Sequence, residues 1–235
     1  MALPKLATAK YELQLPSTAE TIKYRPFLVK EQKVLMMANE SKDQKQVIES
    51  VKEIITNCTF GAIDVNKLPL FDIEYIFIKL RAKSVGEKAK VSVTCPDDKE
   101  TKVDIEINLD QIDMTMKEDH SNIININDEV TMTMGYPMLK DFANVNVDTN
   151  DTDAAFSLIK NSVQSVSEGD KVHRRVDFTD IELEEFIDSL DTEQLGKVMN
   201  FYTTMPKLRH VVKVTNPKTK VQSDVVIEGL ASFLA

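Results

Sequence analysis

Two stretches of the chain share one pattern: VSVTCPDDKETK at residues 91–102 and VKVTNPKTKVQS at residues 212–223. In each, alternating valines run into threonine, a short residue and proline, and a polar turn follows. Each stretch then enters a second Val/Ile-rich run that ends at a leucine, Leu109 or Leu230. Alternating apolar residues on both sides of a turn are typical of a β-hairpin. The sequence therefore predicts two related hairpins, one in each half of the chain.

The first of these hairpins resembles one half of a zinc ribbon. A structural zinc site needs four nitrogen or sulfur ligands, typically supplied by two pairs of cysteines. Cys95 is followed by Pro96, Asp97 and Asp98, with neither cysteine nor histidine, and Asn216 stands where the second stretch would need a thiol. The ligand count predicts turns of the zinc-knuckle type that bind no metal.

A predicted helix precedes each of the two hairpins. Before the first, Leu70, Ile73, Phe77 and Leu80 fit helical spacing, although residues 71–77 also alternate like a strand. Pro69 at the start and Gly86 just beyond the end favour the helix, and its apolar residues on most sides predict a buried one. Before the second hairpin, a helix that ends at Pro206 carries one apolar face: Leu195, Val198, Met199 and Tyr202.

The rest of the chain is predicted to contain further hairpins and amphipathic helices. Residues 11–15 and 22–24 alternate around the turn PSTAE, and residues 123–127 and 129–134 form another strand pair. Helices are predicted over 26–39 and 47–58, and a further one from Phe156, Ile159, Val163 and Val166. A capping box of Thr179 and Glu182 opens a further predicted helix, whose buried side is assigned to five residues: Ile181, Leu183, Phe186, Ile187 and Leu190. Asp191 and Gln194 open the next helix, the one that ends at Pro206.

These elements predict an α+β fold in which helices pack with β-hairpins. The repeated helix and hairpin predict two pseudo-equivalent halves, 1–110 and 151–235, joined by connecting strands and a loop at 111–150. The three segments are expected to form one compact unit.

Composition and charge exclude several classes of function. The formal net charge is −9 and the aromatic content is 6%, so neither the basic patch nor the stacking platform of a nucleic-acid-binding protein is expected. No run approaches the roughly 20 apolar residues that cross a bilayer, and the N-terminal residues lack the apolar segment of a signal peptide. Two cysteines at unrelated positions favour folding in a reducing compartment.

The chain shows no recognised catalytic or phosphate-binding motif. Its six glycines form neither a P-loop nor a dinucleotide-binding fingerprint, and no nucleophile elbow is present. His120, His173 and His210 lie far apart in sequence, and solvated or capping roles are favoured for them. One enzymatic hypothesis stays open: an uncharacterised hydrolase whose site assembles from scattered residues such as His173, Arg174 and Asp177. No cofactor is expected.

Four stretches resemble one known family. They are YELQLPSTAETIKYRPFLVKEQKVLMMA, LPLFDIEYIFIKLRAKSVGE, CPDDKETKVDIEINLDQI and FIDSLDTEQLGKVMNFYTTMPKLRH. Together they are similar to the baseplate hub proteins of T-even-type contractile-tailed bacteriophages, over nearly the whole chain. The resemblance carries over no catalytic residue.

The resemblance implies a non-enzymatic protein that builds the hub of the phage tail baseplate, as a hub subunit or as an assembly chaperone. Its partners would then be other baseplate hub or tail proteins, met in the host cytoplasm during assembly, and the virion tail would be a second location. Nucleic acid and membrane are not expected as partners, and the oligomeric state is left open. An α/β adaptor unconnected with phage tails is the alternative.

The two ends of the chain are the candidate surfaces for partner contact. Apolar residues stand near each terminus: Leu3, Leu6, Leu230, Phe233 and Leu234. A few buried Leu or Phe anchors can dominate a protein interface. The alternative is that both ends pack on the protein's own core.

Overall fold

The computed structural model describes residues 6–41, 43–142 and 152–229. Over these ranges the chain forms six α-helices and eleven strands, so the predicted α+β class is confirmed. In chain order the elements are β1 (Tyr11–Gln14), β2 (Thr21–Tyr24), α1 (Val29–Ser41), α2 (Gln44–Cys58), α3 (Leu70–Val85), β3 (Lys88–Thr94), β4 (Lys102–Asn108), β5 (Met114–Thr115), β6 (Ile123–Asn125), β7 (Val130–Met134), α4 (Thr152–Ser162), β8 (Val163–Glu168), β9 (Lys171–Arg174), α5 (Asp180–Asp188), α6 (Thr192–Thr204), β10 (Lys207–Thr215) and β11 (Gln222–Glu228).

The chain divides into two compact units. The first combines Met1–Thr115 with Lys207–Ala235, and the second is Met116–Pro206. The sequence predicts consecutive segments that change at residues 110 and 150. In the structure the final hairpin instead belongs with the N-terminal residues, because β10 pairs with β5 as well as with β11.

The helical part of the first unit is arranged around α3. Helix α2 packs on both α1 and α3. As predicted, α3 is buried on most of its circumference, with Ile73, Ile76, Phe77, Ile78 and Leu80 fully buried. The hairpin β1–β2 adds an apolar face with Leu13, Ile22 and Tyr24.

The two predicted hairpins are present in the first unit and share a core. Strands β3 and β4 pair from Lys88↔Asn108 to Thr94↔Lys102, and β10 and β11 pair from Arg209↔Glu228 to Thr215↔Gln222. Alternate residues of each hairpin enter one apolar cluster with Ile78 and Ala82 of α3: Ala89, Val91, Val93, Ile107, Leu208, Val214 and Ile227. The alternation found in the sequence therefore reports burial of one face of each hairpin.

The second unit contains an antiparallel sheet in the order β6-β7-β8-β9 and the helices α4, α5 and α6. Both helix-opening motifs are confirmed: Thr179 and Glu182 cap α5, and Asp191 and Gln194 cap α6. The core joins the sheet to the helices through Ile124, Met132, Met134, Ile159, Leu183, Ile187, Val198 and Phe201.

Two predictions for residues that lie in the second unit are wrong. Val163 and Val166 were assigned to a helix, yet α4 ends at Ser162 and both valines lie in β8. Their spacing fits a helix, but Gly169, at φ 54°, allows the tight turn that makes β8 and β9 a hairpin. Ile181 was placed on the buried side of α5 and is 69% exposed, because it lies in the first turn of α5, away from the core.

The predicted relation between residues 70–109 and 195–230 stays a prediction. A helix precedes a hairpin in both copies, α3 before β3–β4 and α6 before β10–β11. In the first copy both elements belong to one unit. In the second copy α6 belongs to the second unit and the hairpin to the first.

Candidate functional site

Three hairpin turns of the first unit share one backbone hydrogen bond and one positive φ angle at matching positions. They are LPSTAE at 15–20, CPDDKET at 95–101 and NPKTKV at 216–221. In each, the residue before proline is buried and its carbonyl accepts a 2.9 Å hydrogen bond from the amide four residues later, the donors being Ala19, Lys99 and Lys220. Those donors have positive φ angles of 57°, 56° and 64°. Sequence comparison had related the second and third turns; the same proline spacing would have identified the first.

The second and third turns are joined directly by hydrogen bonds. The side-chain amide of Asn216 donates to the two carboxylate oxygens of Asp97, at 3.1 and 3.0 Å, and the hydroxyl of Thr219 donates to the same carboxylate. Hydrogen bonds from Thr219 and Asn216 lower the pKa of Asp97. Asn216 occupies in its turn the position that Cys95 occupies in the other. A polar contact therefore links two turns that a zinc ribbon would link through metal.

Cys95 is a residue of the apolar core. Its side chain is buried in the apolar cluster of the two hairpins, and burial together with the carboxylates of Asp97 and Asp98 raises its pKa. Zinc binds the thiolate, which this environment disfavours. In the described part of the chain no group of three or more His, Cys, Asp or Glu residues is arranged to hold a metal ion.

The first turn is held by a different carboxylate. Asp72, in the first turn of α3, is fully buried and accepts a hydrogen bond from the Ser17 amide at 3.0 Å and another from the Ser17 hydroxyl. Burial raises the pKa of Asp72, and the bonds from Ser17 only partly offset that effect. This buried acid has a structural partner at the turn that it anchors.

The residues of the enzymatic hypothesis do not form a pocket. His173, Arg174 and Asp177 are all exposed, and the carboxylate of Asp177 accepts a 2.7 Å hydrogen bond from the backbone amide of Arg174. Asp177 therefore closes a short turn after β9. Convergent polar groups in a cleft, which a catalytic site requires, are not found at these three residues.

The imidazole of His120 contacts several side chains of the second unit. Its Nδ1 lies 2.9 Å from the Thr204 hydroxyl and its Nε2 lies 3.0 Å from the Tyr136 hydroxyl. The imidazole also packs against the rings of Tyr136 and Phe201, with centroids 5.7 and 5.4 Å away. Burial lowers the pKa of His120, and Asp119 opposes that shift. The solvated or capping role predicted for this histidine is therefore wrong, because both ring nitrogens contact side chains inside the unit.

Of the predicted partner-contact residues, the structure describes Leu6. Its side chain is 90% exposed. Leu3, Leu230, Phe233 and Leu234 lie outside the described residues. Sequence reasoning did not single out the apolar surface of α1, where Val29, Met36 and Met37 are exposed. The consecutive run of Leu35, Met36 and Met37 was a signal for it, because one helix face cannot bury three neighbours in sequence.

A surface groove of about 430 Å³ lies between α6 and β6 in the second unit. The helix contributes Glu193, Gly196, Lys197 and Asn200 to one wall, and the strand contributes Ile123 and Asn125 to the other. Asp119 and Ser121 lie at the groove just before the strand. Among the strands of the described residues, β6 is at an edge of its sheet, since the sheet order begins with β6 and β7 is its neighbour.

Comparison with known proteins assigns the chain to a class of viral structural proteins. A family model described as T4 bacteriophage base plate protein matches residues 8–235. The chain belongs to this family, and it is a phage baseplate protein. No curated protein sequence and no solved structure gives a significant match.

Within the described ranges, none of the helices is both long and apolar enough to serve as a membrane span.

Proposed function

We propose that this baseplate protein is a hub subunit or a hub assembly chaperone that works by binding other tail proteins, without catalysis. The main observation behind the proposal is that polar and titratable side chains of the chain make structural contacts within each unit. Asp72 holds the first turn, Asp97 joins the second and third turns, and both nitrogens of His120 contact neighbouring side chains. These groups maintain the fold, which fits a component that acts through its surface.

Exposed apolar side chains support a role in binding. Leu6 on the N-terminal arm is 90% exposed, and α1 adds the exposed group of Val29, Met36 and Met37. Methionine and leucine are effective docking residues, because burying one such side chain contributes about 1.5–3 kcal/mol. The proposal retains Leu3, Leu6, Leu230, Phe233 and Leu234 as partner contacts at the two ends.

The setting proposed for this binding is the host cytoplasm during tail assembly, with the baseplate of the virion as the place of a hub subunit. Family membership supports the tail as the setting. It gives no support to an adaptor unconnected with phage. The exposed positions of His173, Arg174 and Asp177 give none to a hydrolase.

Co-expression with individual tail proteins from the same phage, followed by affinity capture of the intact chain, tests the proposal. One captured tail protein should be lost when residues 230–235 are deleted or when Leu6→Asp is introduced, while the melting temperature stays unchanged. Val176→Asp is the matched control, because Val176 is 88% exposed in the second unit and is not assigned to the interface.

Three results would contradict the proposal. If the end variants capture the same tail proteins as the parent, the ends carry no part of the contact. If they instead lower the melting temperature, the ends pack on the protein's own core. A specific hydrolytic activity that disappears in His173→Ala would contradict the non-enzymatic assignment.

A further inference from the structure

Within the described residues, β6 pairs with β7 on one side, and its other side faces the groove between β6 and α6. Met134 donates its amide to the carbonyl of Asn122 at 2.8 Å, and Ile126 donates to Val130 at 3.0 Å. Bonded and non-bonded pairs alternate along an antiparallel ladder, so the backbone groups of Ile123 and Asn125 point away from β7. These outward groups form the edge at which another strand can pair.

Ile123 and Asn125 differ in the hydrogen bonds that their outward backbone groups make. At Ile123 the hydroxyl of Ser121 bonds to both the amide and the carbonyl, at 3.1 and 3.0 Å, and acts as a local substitute for a neighbouring strand. The same ladder leaves the amide and carbonyl of Asn125 facing the groove and solvent. A pairing segment would replace the Ser121 contacts at Ile123 and bond Asn125 as well.

The helix wall of the groove contains a glycine that the fold itself does not require. Gly196 is exposed within α6, and a Cβ atom added there would meet no heavy atom within 4 Å. Glycine in a helix interior is unfavourable relative to alanine, so a reason for its presence is expected. Close approach of another backbone to the helix is such a reason.

The charged groups of the groove indicate which side chains a bound peptide segment should carry. Asp119 and Glu193 both line it, and its cation, Lys197, already contacts Glu193 at 3.5 Å and the carbonyl of Ile126 at 3.2 Å. The groove therefore presents excess negative charge beside the apolar side chains of Ile123 and Phe201. A segment with alternating apolar residues and at least one Lys or Arg complements it.

We propose that the groove between β6 and α6 binds an extended, basic peptide segment of a partner protein, which adds a strand to β6 and packs against Gly196. This mode is strand addition, in which backbone hydrogen bonds supply affinity and alternate side chains supply specificity. The proposal rests on the proposed function only for the expectation that the segment comes from a tail protein. The recognition chemistry belongs to the groove.

The test uses the intact chain and a yeast-displayed library of random ten-residue peptides, so it does not depend on any tail protein. Selected peptides should alternate apolar residues, include Lys or Arg, and perturb the backbone NMR signals of residues 121–126 and 193–204. In the resynthesised peptide, N-methylation of alternate amides should abolish binding, while methylation of the intervening amides is tolerated.

Variants of the chain separate groove binding from loss of fold. Asn125→Pro removes the outward amide without touching a bond to β7, and Gly196→Leu fills the groove; each should weaken binding at least tenfold. Gly196→Leu should melt no lower than the parent, because the space at its Cβ is free and a helix-interior glycine is replaced. Met199→Leu, at an exposed site of α6 outside the groove lining, should bind as the parent does.

The proposal is overturned if no peptide is enriched, if the enriched peptides bind Asn125→Pro and Gly196→Leu unchanged, or if N-methylation shows no alternation. Any of these results leaves the capture of tail proteins through the chain ends as a separate question. Conversely, the chain could bind the selected peptides and yet capture no tail protein. That result would contradict the proposed function and support the peptide-binding groove.

Discussion

The side-chain amide of Asn216 contacts both carboxylate oxygens of Asp97, across 119 residues of sequence. The carbonyl oxygen of the same Asn216 side chain accepts the backbone amide of Lys218 at 2.8 Å. One buried residue thus shapes its own turn and joins it to the turn of the other hairpin. In a zinc knuckle a metal-bound thiolate has both roles.

Replacing Asn216 by alanine should lower the free energy of unfolding by about 1–3 kcal/mol, because Asp97 loses both hydrogen bonds from the Asn216 side-chain amide and the amide of Lys218 loses its side-chain acceptor. Urea unfolding at pH 7 measures the effect. Asp104→Ala is the control, since Asp104 is exposed on β4 of the same hairpin; it should change stability little.

A double-mutant cycle identifies the bond between the turns as the cause. Asp97→Ala combined with Asn216→Ala should cost less than the sum of the two single changes, because the second removes a partner that is already lost. Strict additivity would mean that the two side chains stabilise the protein independently, contrary to the geometry.

Asp72→Asn should become more favourable relative to the parent as pH rises from about 4 to 7. Burial raises the pKa of Asp72 in the folded protein. Its contribution to stability is therefore fully present below the unfolded pKa of about 3.9 and is lost as pH rises through the folded pKa. Asparagine stays neutral and retains an oxygen that accepts a hydrogen bond from Ser17.

Chemical denaturation of both proteins at several pH values between 3 and 7 measures the difference. A difference in unfolding free energy that is constant with pH, or that turns against Asp72→Asn as pH rises, would contradict the effect assigned to burial. Glu12→Gln, at an exposed position of β1, controls for the loss of one negative charge.

The first unit was largely predictable because its hairpins alternate clearly, and because Pro69 and Gly86 favour a helix where the periodicity of residues 71–77 is ambiguous. Val91 and Val93 of β3 and Val214 of β10 are buried in one apolar cluster, as their alternation with polar residues predicts. The prolines after Cys95 and Asn216 mark the turns. The contact between those turns was beyond sequence reasoning. Asp97 and Asn216 are ordinary turn residues, and only the fold shows that they meet.

The second unit shows where periodicity misleads. Val163 and Val166 are three residues apart and suit a helix continuing from Ile159, yet the helix ends at Ser162. Sequence reasoning also missed the groove, because the residues of a strand do not show whether it pairs with a neighbour on one side or on both. Gly196 was a usable signal. A glycine inside an amphipathic helix destabilises the helix relative to alanine, so its presence suggests another role.

Purified protein should contain no stoichiometric zinc, and a chelator should leave its melting temperature unchanged. The raised pKa of Cys95 keeps the thiol protonated, and Asn216 replaces a second thiol. Metal analysis by mass spectrometry, with and without zinc in the growth medium, measures the content. One zinc per chain that survives dialysis would contradict this prediction.

Cys95 should nevertheless be sensitive to polarity. Cys95→Ser buries a hydroxyl in the apolar cluster of the hairpins and should lower the melting temperature by several degrees, whereas Cys95→Ala should cost less. Equal losses for serine and alanine would show that volume, not polarity, determines the cost at this position.

His120→Gln should make the stability of the protein less sensitive to acid between pH 7.5 and 5. Burial lowers the pKa of His120 in the folded state, so its contribution is present above the unfolded pKa of about 6.5 and is lost as pH falls through the folded pKa. The protonated ring would also carry a donor on each nitrogen, one facing Thr204 and one facing Tyr136. Glutamine has no such titration and can bond the same two hydroxyls.

The measurement is urea unfolding at both pH values for the parent, His120→Gln and His173→Gln, the last at an exposed histidine of β9. The parent and His173→Gln should lose stability alike on acidification, and His120→Gln should lose less. At pH 7.5, His120→Ala should cost about 1–3 kcal/mol, because it removes the hydrogen bonds between the imidazole and the hydroxyls of Thr204 and Tyr136 and takes a ring from the cluster of Tyr136 and Phe201. If His120→Gln follows the acid response of the parent, carboxylates rather than this imidazole determine that response.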